Sequence, residues 1–184
     1  MAESMGEIRT HAPVLLVMAA FSRHDAALDW AEGMAVQHWG PAALTSPRFA
    51  HEETRFYERT MGTGLFKTFF AFERLIDPAT LADLKHQTNG WEKSYRRPAG
   101  AAEHRPLNLD PGYLTEAKLI LASTKDRDHR IYLGGGIFAE GTLIFQRGEW
   151  RTRPWTYPDY QRADYHEFFT RCRDYLRRCY GHKQ

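Results

Sequence analysis

The sequence predicts an α+β fold: a single mixed, largely antiparallel sheet with helices packed mainly on one face. Three observations predict it. Short apolar runs of strand length alternate with amphipathic stretches of helical period. Between residues 118 and 153 several strand-like runs follow one another through short turns, which implies antiparallel pairing. The chain then closes on a long helix with one apolar stripe.

Each element has a local reason. Residues 1–12 are polar and patternless, as in a flexible tail preceding one domain over 13–184. Pro13 to Phe21 is continuously apolar, which suits a strand buried on both faces. Ser22 and Asp25 are spaced to cap a helix whose apolar face is Leu28, Ala31, Met34 and Ala35, and Gly40-Pro41 ends it. Strands are expected at 54–59 and 66–75, joined through MGTG at 61–64. Asp77-Pro78 starts a second helix on Leu81, Leu84, Thr88, Trp91 and Tyr95. Residues 97–106 read as a loop. Strands follow at 118–123, 130–133, 137–146 and 149–153, with Arg147-Gly148 as a tight turn. Gly141 stands where a bulkier strand residue is expected. Tyr165, Phe168, Phe169, Cys172, Tyr175, Leu176, Cys179 and Tyr180 form the last helical stripe.

Composition narrows the function classes. The chain has 184 residues, 42% apolar, enough for a core without staples. Its 25 Lys and Arg against 23 Asp and Glu make no global basic field, which speaks against a nucleic-acid partner. Cys172 and Cys179 lie two helical turns apart, about 10.5 Å, out of disulfide reach. They read as apolar core residues in a reducing cytosol. No apolar run approaches the ~18–20 residues of a membrane span.

The stretch from Arg105 to Glu140 holds most of the candidate chemistry. Asp110-Pro111-Gly112-Tyr113 has the makings of a type II turn, which would present Asn108, Asp110 and Tyr113 rigidly. Ser123, Lys125, His129 and Arg130 lie between two strands, where Lys and Arg suit a phosphate or carboxylate. Strands 118–123 and 130–133 are expected to pair as neighbours. Asn108, Asp110, His129 and Arg130 are expected to converge on one partly open concavity, which requires residues 111–117 to fold back, because that pairing alone leaves Asp110 at the opposite strand end.

The segments YERTMG (57–62), NLDPGYL (108–114), KLILASTKD (118–126), HRIYLGGGIFAE (129–140) and WTYPDY (155–160) resemble a bacterial and archaeal family, domain of unknown function 4416. The resemblance runs from the first strand to the last helix. It implies a small stand-alone protein and brings no activity, substrate or cofactor. There is no P-loop, no zinc-type histidine spacing and no nucleophile elbow. Gly134-Gly135-Gly136 precedes a strand rather than a helix, so it reads as a turn. No metal site is assigned, although Asp110, His129 and Glu140 are conceivable ligands.

Two functions fit these residues. The first is binding of a small anionic molecule, or an acid–base enzyme acting on one. Asp110, His129 and Lys118 would be its catalytic groups. Asn108, Tyr113, Lys125, Arg130, Tyr132 and Glu140 would contact the ligand, with Tyr57 and Glu58 joining from upstream. The second is an RNA- or protein-binding module that uses the aromatic turn at 155–160 and the arginines of the last helix. The cofactor and oligomeric state are unknown at this level.

Overall fold

The computed structural model describes residues 8, 10–53, 57–96 and 103–181. Most of the expected tail, residues 54–56 and residues 97–102 lie outside the described residues. The first strand, β1 (Val14–Ser22), is buried along its whole length, as its unbroken apolar run requires. Leu15, Val17 and Ala19 enter one core, and Leu16, Met18 and Ala20 enter another. The helices α1 (Asp25–Trp39) and α3 (Leu81–Ser94) pack into the second core. The last helix, α4 (Ala163–Cys179), fills the first through Tyr165, Phe168, Phe169, Cys172 and Leu176.

The sheet is therefore covered on both faces, rather than mainly on one. The cause is visible in β4 (Leu65–Ile76), where Phe69 and Ala71 face α4 while Phe70 and Phe72 face α1 and α3. Side chains alternate along a strand, so two apolar sets back to back demand two covers.

The remaining strands are β2 (Ala42–Thr45), β3 (Phe49–His51), β5 (Asn108–Leu114), β6 (Lys118–Ser123), β7 (Ile131–Gly134), β8 (Ile137–Gln146) and β9 (Glu149–Thr152). Their order is β2-β4-β1-β5-β6-β8-β7, with β3 on β4 and β9 on β8. Every described pairing is antiparallel, so the sheet is not mixed. Chain connections explain this. The β1-α1-β2 crossover leaves room for β4, and the β4-α3-β5 crossover straddles β1. Two interleaved split β-α-β units make a ferredoxin-like arrangement. β6, β8, β7 and β9 extend it beyond β5.

Several local expectations change. Glu58–Met61 is a one-turn helix, α2, not a strand, and β2 and β3 were not foreseen. The N-cap of α1 is His24; the Ser22 hydroxyl accepts its N–H at 3.0 Å and donates to the Pro106 carbonyl at 2.6 Å. Asp77 caps as expected, accepting the Ala79 N–H at 2.9 Å. Strands 118–123 and 130–133 are not neighbours, because β8 lies between them and pairs with both. β8 carries buried Ile137, Glu140 and Leu143, so it takes the inner place and exposed β7 the edge. Thr142 is left over as a bulge beside Gly141.

The change that matters most concerns residues 110–113. They are not a turn: β5 runs straight through them, with Pro111 opposite Met18 and Gly112 opposite Val17. Gly112 does not serve a positive φ. A Cβ there would lie 2.3 Å from the Ile120 carbonyl oxygen, so the glycine permits close approach of β6. Pairing of β5 with β6 covers only Gly112–Leu114. Proline has no N–H for a ladder bond, and the two strands part at that residue.

Candidate functional site

The parting of β5 and β6 opens a pocket of about 120 Å³. One wall is Asn108 and Asp110 of β5; the other is Leu121, Ala122 and Ser123 of β6, continuing into Thr124 and Lys125. Lys85 and Asn89 of α3, Lys67 of β4 and Glu140 of β8 also line it. Tyr57, Arg105, Arg130 and the residues Tyr157, Asp159 and Tyr160 complete it. Five cationic side chains thus share the lining with three carboxylates, which biases the pocket towards an anion.

Two of the cations are lysines in core positions. Lys85 is 4% exposed and donates from Nζ to the Leu109 carbonyl at 2.7 Å and to Asp110 Oδ1 at 2.9 Å. Lys67 is 6% exposed, donates to Asp159 Oδ2, and lies over the rings of Phe21 and Tyr160. Asn108 Nδ2 donates to the other Asp110 oxygen at 2.6 Å. Burial alone would raise the Asp110 pKa, but Lys85, Lys67 and Asn108 outweigh it and hold the carboxyl below its ordinary range. Asp110 is consequently a weak base, with both oxygens engaged.

The two arginines differ from the expected role. Four of the five N–H bonds of Arg130 are used: Nε on Glu140 Oε2 at 2.8 Å, both of Nη1 on Ser123 Oγ and the Lys125 carbonyl, and one of Nη2 on Tyr157 Oη, with Nη2 also ion-paired to Glu140 at 2.7 Å. Arg130 ties the 124–130 loop to β8 and keeps no pair of parallel donors for a ligand. Arg105 spends both NH2 hydrogens on Glu92, at 2.8 Å, and Asn108. Burial opposes its charge, yet Glu92 and Asp110 keep its pKa above the ordinary value. Burial, followed by neighbouring carboxylates, pushes the phenols of Tyr57 and Tyr160 up, so both are protonated near neutral pH.

Of the residues expected to form the site, Tyr57, Asn108, Asp110, Lys125, Arg130 and Glu140 do meet in this pocket. His129 stands behind it, its Nε2 at 3.1 Å from Glu140 Oε2 and its ring stacked on Trp155. Four others lie elsewhere. Lys118 is exposed at the far end of β6. Tyr113 packs beside Leu81, Ile120 and Ala122. Tyr132 is exposed on β7, where its hydroxyl accepts the Gly136 N–H at 3.2 Å. Glu58 is exposed on α2 beside a separate shallow cavity. Alternation sends Tyr113 to the other face of β5, whereas Tyr132 shares the Glu140 face through its partner Phe138 but lies out on the edge strand.

Lys67, Lys85 and Asn89 were missed, whereas Tyr157 lies in the 155–160 turn expected to help form the site. Two of the missed residues had a signal. Lys67 interrupts an apolar strand, and Lys85 sits four residues after Leu81 and three before Thr88, in phase with the buried face of α3. A lysine in phase with a core is seldom there without a partner. The aromatic turn is mostly used internally: Trp155 stacks on His129 and Tyr160 packs against α4, leaving Tyr157 exposed at the rim. Among the described residues, no three His, Cys, Asp or Glu side chains are grouped to hold a metal ion.

The family model described as Domain of unknown function (DUF4416) matches residues 12–175. The chain belongs to that family. No curated protein and no solved structure matches it. Every residue lining the pocket falls inside the DUF4416 match, which runs from just before β1 into α4. No helix among the described residues of this DUF4416 chain is long and apolar enough to cross a membrane.

Proposed function

We propose that this DUF4416 protein binds a small molecule through an anionic group, a phosphate or a carboxylate, held in the fork between β5 and β6. The observation that carries this is the spare donor capacity of two buried ammonium groups. Each lysine has three N–H donors. Among the described residues Lys85 fills two and Lys67 one. Buried cations with unfilled donors are costly, and an anion relieves that cost.

Binding has more support than acid–base catalysis. Asp110 is held ionised by its lysines, and His129 reaches the pocket only through Glu140. The RNA- or protein-binding alternative has less support still, because the rings of the 155–160 turn are largely packed inward. A reducing cytosol belongs to the same proposal, since Cys172 and Cys179 are both free thiols.

The test is a thermal-shift panel of inorganic phosphate, pyrophosphate, acetate, malonate and citrate. At least one anion should raise the midpoint, because a ligand that binds only the folded state stabilises it by mass action. Lys85→Met should abolish that rise. No shift with any anion, or an equal shift in the variant, overturns the proposal.

A further inference from the structure

We infer that the anionic group is a phosphate, not a carboxylate, and that the Tyr160 hydroxyl is one of its ligands. This rests on the anion-binding role of the fork and specifies it.

A planar carboxylate is recognised best by two parallel N–H bonds from one guanidinium. Neither arginine of the pocket offers such a pair. Arg130 has Nε, both hydrogens of Nη1 and one of Nη2 in hydrogen bonds, which leaves no parallel pair. Both parallel pairs of a guanidinium on its outer edges include NH2, and Arg105 has committed both NH2 hydrogens to Glu92 and Asn108. Two buried donors with capacity left are single points on separate elements: Lys67 on β4 and Lys85 on α3. Donors arriving from different directions suit an anion whose oxygens point in different directions, as in a tetrahedral phosphate.

Tyr160 adds a second, independent observation. It lines the pocket, is 3% exposed, and its hydroxyl has no hydrogen-bond partner among the described residues. Its ring lies under Lys67, with Nζ 4.8 Å from the centroid. The phenol also feels Asp159, Asp110 and Tyr57, which are pocket-lining groups. Buried polar groups are nearly always paired, so an orphan hydroxyl beside an under-filled ammonium marks a place for a ligand oxygen. The phenol is protonated at neutral pH, so it arrives as a donor.

Calorimetric titration of the full chain with inorganic phosphate, acetate and malonate tests this, with Tyr160→Phe in parallel. Phosphate should bind at least about tenfold more tightly than either carboxylate. Tyr160→Phe should weaken phosphate by about tenfold or more, as expected for a hydrogen bond to a charged group. The unliganded variant should melt at the wild-type temperature or higher, because it loses only an unpaired buried hydroxyl. A lower melting temperature, or unchanged phosphate affinity, removes Tyr160 from the site. Tighter binding of a carboxylate that Lys85→Met abolishes overturns the phosphate assignment and leaves anion binding standing. Absence of binding by all three anions overturns both. Glycerol phosphate in the same titration separates a phosphate monoester from free phosphate: tighter binding of the ester assigns the monoester, and tighter binding of the inorganic ion assigns the latter.

Discussion

Lys85 on α3 and Asp110 on β5 are joined at 2.9 Å across the interface between helix and sheet. The folded pKa of Asp110 lies below its ordinary value. Its contribution to stability is therefore complete above the unfolded carboxylate pKa, about 3.9. It is lost as pH falls through the lower folded value. Asp110→Asn should cost about 2 kcal/mol at pH 7, less than a fully enclosed pair because the carboxylate is partly exposed. Urea titrations at pH 7 and in acid should show the gap between the two proteins closing as the wild-type carboxylate protonates.

Arg130→Lys keeps the charge and loses the fork. A lysine cannot reach Glu140, Ser123, Tyr157 and the Lys125 carbonyl together. The change should cost about 2 kcal/mol through lost hydrogen bonds. Limited trypsin digestion should cut the 124–130 loop faster than in the wild type, and an unchanged cleavage rate would refute the anchoring role.

Gly112→Ala places a methyl group 2.3 Å from the backbone oxygen of Ile120. Backbone cannot rotate aside as a side chain can, so β6 must shift. Overpacking of this kind should cost about 3 kcal/mol, measured by chemical denaturation. The same shift alters the mouth of the fork, so anion-induced stabilisation should fall with it.

Phe169→Ala should cost about 3–5 kcal/mol. Phe169 is fully buried and meets Phe69, Trp150, Tyr160 and Phe168. A fragment ending near Arg162 would lose that whole layer. Calorimetry should show no cooperative transition near the wild-type temperature.

Cys172 is buried and Cys179 exposed. Burial pushes the Cys172 thiol well above its ordinary pKa, which makes it inert as well as hidden. A maleimide reagent should label about one equivalent in the native protein, at Cys179, and about two after unfolding. Native labelling of Cys172 would contradict its place in the α4 core. Exposure of Cys179 also corrects the expectation that both thiols lie in the core: past Leu176 only Tyr180 of the stripe still packs against it.

Much of the fold was legible because it depends on neighbours in sequence. The apolar run at β1, the proline and aspartate that open the turn before α3, and the stripe of α4 each act within a few residues. Arg147 and Gly148 likewise adopt the positive φ values, 54° and 87°, of the tight turn expected between β8 and β9. The sheet order was not legible. Whether β7 or β8 lies against β6 depends on which strand buries more, a comparison made only once the sheet assembles.

Local chemistry in the chain decided where β1, β4, β6, β8, α1, α3 and α4 form. Tertiary structure alone decided what each pocket residue is for. Pro111 looked like a turn residue because proline favours turns; it became the point where two strands part because β6 comes to its side without a donor to meet. Lys67 and Lys85 became pocket residues because carboxylates distant in sequence, Asp159 and Asp110, accept their N–H bonds inside the protein. Arg130 lost its role as an anion holder because four separate partners, five to twenty-seven residues away, claim four of its five hydrogens. Donor capacity is finite, and which donors remain for a ligand is settled only when every internal partner is in place.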